Sequence, residues 1–241
     1  MLAICLISLL GGTAPTGATS TPTYLYDARL VQAAPGRLLD LIDLYKARMA
    51  GIRDGGDEPP LWMRHSQGDR WDLLLLFPMG SYAEYYRPER IARRARIEPQ
   101  EFRERLASDI YWQEDVFVHG PALDDLRKAF AGAGYFHVEM FQALPGRAAD
   151  LYKEREMENA YLRVLREPDN FIFVRDQGAA WDVFTLGCYR NLKHYAEGSD
   201  VPAKDQEAAA RAAGFEDAGH IGPYLRTLIS SHHDTLAVAI K

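Results

Sequence analysis

The sequence predicts an α+β fold in which two copies of one β-α-β-β-α-β unit pack as a single pseudo-dimeric barrel. Two observations lead to this prediction. The chain contains an internal repeat at an offset of 110 residues, and both copies show strand and helix patterns in the same order. The copies cover residues of about 24 to 119 and of about 135 to 239, so the repeat accounts for nearly all of the chain.

The repeat aligns two distant blocks without a gap. Residues 32–37 read Gln-Ala-Ala-Pro-Gly-Arg, and residues 142–147 read Gln-Ala-Leu-Pro-Gly-Arg. The further matches at this offset are Asp40-Leu41 with Asp150-Leu151, Gln67-Gly68 with Gln177-Gly178, Trp71-Asp72 with Trp181-Asp182, and Tyr85 with Tyr195. One offset that holds over some fifty residues, with a tryptophan in register, indicates a repeated structural unit.

Each copy begins with an alternating strand pattern that ends at a Pro-Gly turn, and apolar residues at helical spacing follow. Two short strands, a helix and a last strand complete the unit, which is the ferredoxin-like order. The first copy is predicted to have strands at 24–31, 61–65, 71–77 and 116–119, and helices at 37–49, 81–86 and 101–106. The second copy is predicted to have strands at 135–141, 171–175, 181–186 and 235–240, and helices at 147–165, 191–196 and 206–213.

The two first strands carry charges on one face. Asp27 and Arg29 share a face because side chains alternate along a strand, and their equivalents at the offset are His137 and Glu139. We expect these two faces to oppose each other inside the barrel and to form ion pairs, since buried charges need partners. The opposite faces are apolar and are expected to pack against helices; they comprise Tyr26, Ala28 and Leu30 with Phe136, Val138 and Met140.

Composition excludes some classes of function. The chain has 241 residues, of which 47% are hydrophobic and 26% charged, with a formal net charge of −6. This mild acidity argues against a nucleic-acid partner, which would favour a basic face. The densest basic run, residues 87–96, is flanked by acidic residues and is interpreted as the solvated face of a helix.

Residues 1–20 differ from the rest: a short apolar run precedes small and polar residues, which is typical of a secretory signal peptide. The run lacks a preceding basic residue and is too short to span a bilayer. We therefore expect export to the periplasm, with the cytoplasm as the alternative, and no membrane span. The predicted organisation is a signal peptide at 1–20, a first repeat at 21–121, a linker at 122–133 and a second repeat at 134–241. Export would remove Cys5 and leave Cys188 as a lone buried thiol.

This layout resembles the dimeric α+β barrel superfamily in a fused, tandem form. The strand-Pro-Gly-Arg-helix opening and the Trp-Asp pairs look most like the antibiotic-biosynthesis-monooxygenase and NIPSNAP-like branches. The resemblance implies a small hydrophobic ligand between a sheet and its covering helices, and a monooxygenase-like or isomerase-like reaction without a permanent cofactor. It leaves open a haem-binding barrel, a non-catalytic binding or stress-associated barrel, and assembly into a homo-oligomer.

Histidines are the candidate catalytic bases, because their pKa suits proton transfer near neutrality. The candidates are His65, His137 and His233. Aromatic walls with a few polar groups suit a planar organic ligand; the candidate ligand-binding residues are Tyr26, Trp62, Trp71, Phe136, Phe173, Arg175 and Trp181. The alternative is that these residues are ordinary core and ion-pair positions. The sequence holds no phosphate-binding loop, no dinucleotide fingerprint and no HExxH or CxxC motif, so no nucleotide or metal is expected.

Overall fold

The computed structural model describes residues 23–240, so the predicted signal peptide lies outside the described residues. Eight strands run through the described chain: β1 (Tyr24–Ala33), β2 (Leu61–Gln67), β3 (Leu73–Gly80), β4 (Ile110–Gly120), β5 (Tyr135–Ala143), β6 (Phe171–Gln177), β7 (Val183–Tyr189) and β8 (Ile229–Ala239).

Nine α-helices lie between these strands in the described chain: α1 (Leu38–Asp54), α2 (Tyr82–Tyr85), α3 (Pro88–Ile97), α4 (Gln100–Asp109), α5 (Leu123–Gly132), α6 (Ala148–Leu165), α7 (Leu192–Ala196), α8 (Ala203–Ala212) and α9 (Ile221–Arg226). Two short 3₁₀ segments, Glu197–Asp200 and Ala218–His220, follow α7 and precede α9. Helix α5 occupies most of the segment 122–133 that was expected to be a linker. No helix of residues 23–240 has both the length and the apolar character needed to cross a membrane.

The eight strands form one antiparallel sheet in the order β1-β3-β2-β8-β5-β7-β6-β4, and β4 pairs with β1 to close the sheet as a barrel. The predicted α+β class is therefore confirmed. We call residues 24–120 the first half and residues 135–239 the second half. Three strand pairs form within each half. Two further pairs, β2 with β8 and β4 with β6, connect the two halves.

The barrel interior is a single apolar core to which both halves contribute. Tyr26, Ala28 and Leu30 of β1 meet Phe136, Val138 and Met140 of β5 in this core, together with Phe173 and Phe184. Burial of such side chains contributes about 1.5–3 kcal/mol each, so this shared core is a main reason that the halves hold together.

The expectation for the first strands is wrong as to which face points inwards. The apolar faces of β1 and β5 lie inside the barrel, whereas Asp27, Arg29, His137 and Glu139 lie outside, beneath the helices. The charges consequently pair within their own half: Arg29 with Asp27 and Asp115, and Glu139 with Arg155. The physical reason is that the interior is filled with buried apolar side chains, which cannot solvate ions, whereas the outer face offers charged partners and leaves part of each group exposed.

Helices cover the outside of each half and form two further cores. In the first half, Val31, Leu73 and Leu75 of the sheet pack against Leu41 and Tyr45 of α1. In the second half, Phe141 and Val183 pack against Leu151 of α6 and against Leu225 and Leu228 near α9.

An aspartate makes the same contacts in both halves. Asp72 precedes β3, where its N–H donates to Val31 O (2.7 Å) and its Oδ2 accepts from Ala33 N (2.8 Å). Asp182 precedes β7, where its N–H donates to Phe141 O (2.8 Å) and its Oδ2 accepts from Ala143 N (2.8 Å). The Trp-Asp pairs therefore lie just before the strands rather than within them, and each aspartate joins its strand to the end of the opening strand.

A glycine makes the equivalent close approach between the halves. A Cβ on Gly68, which has φ +124°, would lie 2.7 Å from the Cα of Thr235 in β8. A Cβ on Gly178, with φ +88°, would lie 3.3 Å from the Cα of Val116 in β4. Both positions require glycine, because each turn runs against the backbone of the other half with a left-handed conformation.

We expect Asp72→Ala to lower the free energy of unfolding by about 1.5–3 kcal/mol, because a hydrogen bond to a charged carboxylate is lost. Urea denaturation followed by circular dichroism measures this change. The exposed Asp43 of α1 supplies the control, and Asp43→Ala should change stability by less than about 0.5 kcal/mol. Equal stability of the two variants would contradict the role given to Asp72.

Candidate functional site

A cavity of about 190 Å³ lies in the first half between the outer face of the sheet and its covering helices. Strands β1 and β3 form its floor, and helices α1, α2, α3 and α4 contribute to its walls. We call it the sheet–helix cavity; its principal lining residues are Asp27, Arg29, Tyr45, Arg48, Phe77, Tyr85, Arg94 and Phe102. The cavity is somewhat larger than the apolar space of about 150 Å³ that accommodates benzene, and it opens to solvent on one side.

Arg29 is the central charge of the floor. Its Nη2 donates to Asp27 Oδ2 (3.2 Å), its Nε donates to Asp115 of β4, and its Cζ lies 4.9 Å from the centroid of the Phe77 ring. Register explains this arrangement, because Arg29 stands directly opposite Asp115 across the β1–β4 pair. Arg29 and its three partners, Asp27, Asp115 and Phe77, are thus held by neighbouring strands rather than by loops.

Asp27 combines burial with an unused acceptor. Its side chain is 12% exposed, and Oδ1 is buried without a hydrogen-bond partner among the described residues. Burial raises the pKa of Asp27 to about 6, with the charge of Asp115 adding to the rise and Arg29 opposing it. A carboxyl group that ionises near neutral pH and faces a cavity has the properties of a general base.

The walls supply aromatic surface and further cations. The Cζ of Arg94 lies 3.9 Å from the centroid of the Tyr85 ring, and Arg94 Nε lies 3.2 Å from Asp57 Oδ2. Arg48 differs from Arg94, because it makes no ion pair within residues 23–240 and lies 5.7 Å from the ring centroid of Phe102. Arg48 is therefore a cation on the cavity wall that could compensate a negative charge on a ligand.

The equivalent place in the second half holds a different set of groups. At the offset of 110 residues, His137 corresponds to Asp27, Glu139 to Arg29, and Arg155 of α6 to Tyr45. Arg155 is buried; its Nε and Nη2 donate to Glu154 (2.5 and 2.8 Å). The second half has thus replaced an aromatic wall with a network of ions.

Within this network His137 faces Asp234 of β8, with His137 Nε2 at 3.4 Å from Asp234 Oδ1. Burial tends to lower the pKa of His137, but its hydrogen bond with Asp234 and the charge of Glu139 outweigh burial and raise it. Asp234 also lies 3.2 Å from Nε2 of His232. Thr185 Oγ1 donates to Glu139 Oε2 (3.0 Å), which fixes that carboxylate.

A second pocket, of about 360 Å³, lies at one end of the barrel and brings together three of the candidate residues. Trp71 and Trp181 line it with His233, whose Nδ1 lies 3.8 Å from Asp69 Oδ2. We call it the barrel-end pocket. Its tryptophans are also members of the shared core, so they serve a structural role whatever the pocket contains.

The other candidate residues are dispersed. Tyr26, Phe136 and Phe173 are buried in the barrel interior. Trp62 lies on the opposite face of β2 from His65, and its ring centroid is 6.1 Å from that of Tyr45. The His65 ring centroid lies 5.9 Å from that of Trp71.

Arg175, the equivalent of His65 in the second half, is held in place by its neighbours. Its Nη2 donates to Asp182 and its Nε donates to Trp181 O (2.8 Å). The aromatic residues proposed from sequence therefore do not line one cavity in each half.

The sequence does not predict the set of residues that lines the sheet–helix cavity. It predicts Asp27 and Arg29 as a charged strand face, but with ion pairs inside the barrel. Tyr45, Tyr85 and Arg94 are not among the predicted site residues, although Tyr85 occupies a position that matches Tyr195 at the offset of 110 residues. One feature of the sequence indicates Asp27 as a candidate site residue. It lies on a strand that helices are expected to cover, and Arg29 is the one cation that shares its strand face.

Three solved structures share this fold at low sequence identity. An anthrone oxidase-like protein aligns with a TM-score of 0.56 and 11% identity over 91% of this chain and 92% of that chain. A candidate monooxygenase from Lactobacillus acidophilus NCFM aligns with a TM-score of 0.51 and 9% identity over 90% of this chain and 93% of that chain. A candidate monooxygenase from Fusobacterium nucleatum subsp. nucleatum ATCC 25586 aligns with a TM-score of 0.52 and 6% identity over 92% of this chain and 95% of that chain.

No protein-family model and no curated protein matches the sequence. At such low identities the structural likeness establishes the fold alone, a mixed α+β fold of the ferredoxin-like class.

The raised pKa of Asp27 predicts a pH dependence of stability. Because the carboxyl group binds its proton more tightly in the folded chain than in the unfolded chain, its contribution is fully present below about pH 4 and is lost as pH rises through about 6. We expect the wild-type protein to lose about 2 kcal/mol relative to Asp27→Asn between pH 4 and pH 7. Urea denaturation of both proteins across this range measures the difference.

Asp43→Asn, at an exposed position on α1, controls for the loss of one negative charge. A difference between wild type and Asp27→Asn that stays constant from pH 4 to pH 7 would show that Asp27 is not desolvated as described.

Proposed function

We propose that the protein binds a small aromatic compound in the sheet–helix cavity and that Asp27 removes a proton from it. The observation that carries this proposal is the buried, unpartnered Oδ1 of Asp27 on the floor of a cavity with aromatic walls. A base in such a place abstracts a proton best when its pKa is close to the working pH, and desolvation brings Asp27 to that range.

The shape and charge of the cavity define the class of substrate. Phe77, Tyr85 and Phe102 provide the planar walls, and the open side lets a larger ring system project into solvent. Arg48 lies where it can stabilise the negative charge that forms on a carbonyl or phenolic oxygen after the proton has left. The substrate class is therefore an enolisable aryl ketone or a phenol with one to three rings.

The reaction we propose is oxygenation by dioxygen without a permanent cofactor. Asp27 takes a proton from a methylene that an aryl ring conjugates with the carbonyl group, and the resulting carbanion reacts with O₂. One oxygen atom remains in the product as a new carbonyl group and the other leaves as water, so the four electrons lost by the methylene balance the reduction of O₂. The names of the anthrone oxidase-like protein and of the two candidate monooxygenases with this fold favour this choice over isomerisation.

Among the described lining residues of the cavity, none is histidine, cysteine or methionine. These are three of the common axial ligands of haem iron; the fourth, tyrosine, is present as Tyr45 and Tyr85, so a phenolate is the one common haem ligand that the described lining offers. The three histidines chosen from sequence lie outside the cavity lining, which is why Asp27 takes their place as the base in this proposal.

We also propose that the two halves arose by duplication of one unit and form a pseudo-dimer related to the antibiotic-biosynthesis-monooxygenase and NIPSNAP-like proteins. The equivalent contacts of Asp72 and Asp182, and of Gly68 and Gly178, support the duplication. Export by the leader remains a further part of this proposal.

Anthrone is the probe that tests the reaction. We expect the protein to convert it to anthraquinone with one O₂ consumed per product, and Asp27→Asn to lower kcat by about a hundredfold or more. Absorbance and an oxygen electrode measure product and O₂ together. Arg48→Met should lower kcat and leave KM nearly unchanged, because it removes the stabilisation of a charge that forms only after the proton has left.

Asp115→Asn is the matched control, since it removes the other carboxylate that contacts Arg29 and leaves Asp27 in place. Turnover by Asp27→Asn at the rate of the control would disprove the role of Asp27. A rise in melting temperature with anthrone, without any product, would show a binding protein rather than an enzyme.

A further inference from the structure

We propose that His137, Glu139 and Asp234 bind a divalent first-row transition-metal ion. We call these three residues the His137 cluster. The site lies in the second half, on the outer face of the sheet, and is separate from the sheet–helix cavity and from the reaction proposed there.

The first argument is geometric. One ligand atom of each residue in the His137 cluster lies within 4.8 Å of the other two. His137 Nε2 and Asp234 Oδ1 are 3.4 Å apart, which is the separation of two donors that each lie about 2.1 Å from one ion at a tetrahedral angle. Small side-chain rotations of the half-exposed Asp234 would bring all three donors onto one ion.

The second argument is rigidity. His137 and Glu139 are two residues apart on β5, so their side chains leave the same face, and Asp234 stands directly opposite Glu139 on β8. All three ligands are therefore fixed by one antiparallel strand pair, without any loop. Thr185 of β7 donates to Glu139 Oε2, which supplies the kind of outer hydrogen bond that orients a ligating carboxylate.

The third argument is an imbalance of charge. Three carboxylates, those of Glu139, Glu154 and Glu158, surround a single guanidinium, that of Arg155, while Asp234 faces His137 and His232. Glu154 accepts hydrogen bonds from Nε and Nη2 of Arg155, and Glu158 Oε2 accepts one from Nη1 (2.6 Å). Glu139 Oε2 lies 3.7 Å from the same Nη1. A divalent cation between Glu139 and Asp234 would compensate the charge that Arg155 leaves uncompensated.

The donor set indicates the class of metal. One imidazole with two carboxylates suits Zn²⁺, Mn²⁺, Fe²⁺ or Co²⁺ better than Ca²⁺ or Mg²⁺, which prefer oxygen ligands alone. Three protein ligands leave coordination positions for water, and the exposure of Asp234 gives the ion a path from solvent. The first half cannot form this site, because the equivalents of His137 and Glu139 are Asp27 and Arg29.

The test uses the full chain after dialysis against a chelator, with Zn²⁺ and Co²⁺ as probes. Calorimetry should show that wild-type protein binds Zn²⁺ at a site where His137→Gln and Asp234→Asn bind at least about tenfold more weakly. Co²⁺ should give visible d–d absorption bands in the wild-type protein that both variants lose. Because the Co²⁺ spectrum is recorded on the wild type, it remains informative if a variant fails to fold.

Two controls make the assignment specific. Asp115→Asn changes the register equivalent of Asp234 in the first half and should leave Zn²⁺ affinity unchanged. His220→Ala removes the histidine of the exposed cluster Glu216, Asp217 and His220, and should also bind Zn²⁺ like the wild type. Absence of Co²⁺ bands in wild type, equal Zn²⁺ affinity of wild type and His137→Gln, or loss of binding in His220→Ala would each overturn the proposal.

Discussion

The alternation of side chains along eight strands of a closed sheet is the constraint on which the rest of this structure depends. Strand residues face either the apolar interior that both halves share, with the barrel-end pocket at its end, or the outer face of the sheet. The charged side chains in β1 and β5 lie on the outer face, where helices bury them only in part, whereas Glu114 and His233 face the barrel-end pocket. Asp27, Arg29, His137 and Glu139 all lie on the outer face of the sheet, beneath its covering helices.

The two halves use one framework for different purposes. Contacts that set the geometry, such as those of Asp72 and Asp182, are the same in both halves. The side chains placed on that framework differ between the halves. In the first half Tyr45 lines a cavity next to Arg29, whereas in the second half the equivalent residue, Arg155, is a buried cation. Because the two halves differ in sequence, each holds its own set of charges, which a symmetric pair of identical chains cannot do.

The sequence could predict the α+β class, the order of the elements and the residues that share a strand face. Periodicity does not say which face is inside, and the apolar face of β1 was taken for the one that meets helices. The cavity was missed for a related reason: Tyr45, Tyr85, Arg94 and Asp27 come from three helices and a strand far apart in the chain, and no local spacing connects them. Trp71 and Trp181 were correctly recognised as repeated, but they precede their strands because the adjacent aspartates bind the opening strands.

The pairing of β8 with β2 has a consequence for the synthesis of the chain. The last strand, Ile229–Ala239, supplies the hydrogen-bonding partner of a strand that ends at Gln67. While the ribosome is still producing the second half, the first half exposes β2 as a free sheet edge and leaves its inner apolar face uncovered. Such edges pair readily with other chains, and this hazard for β2 ends only when β8 has been synthesised and has paired with it.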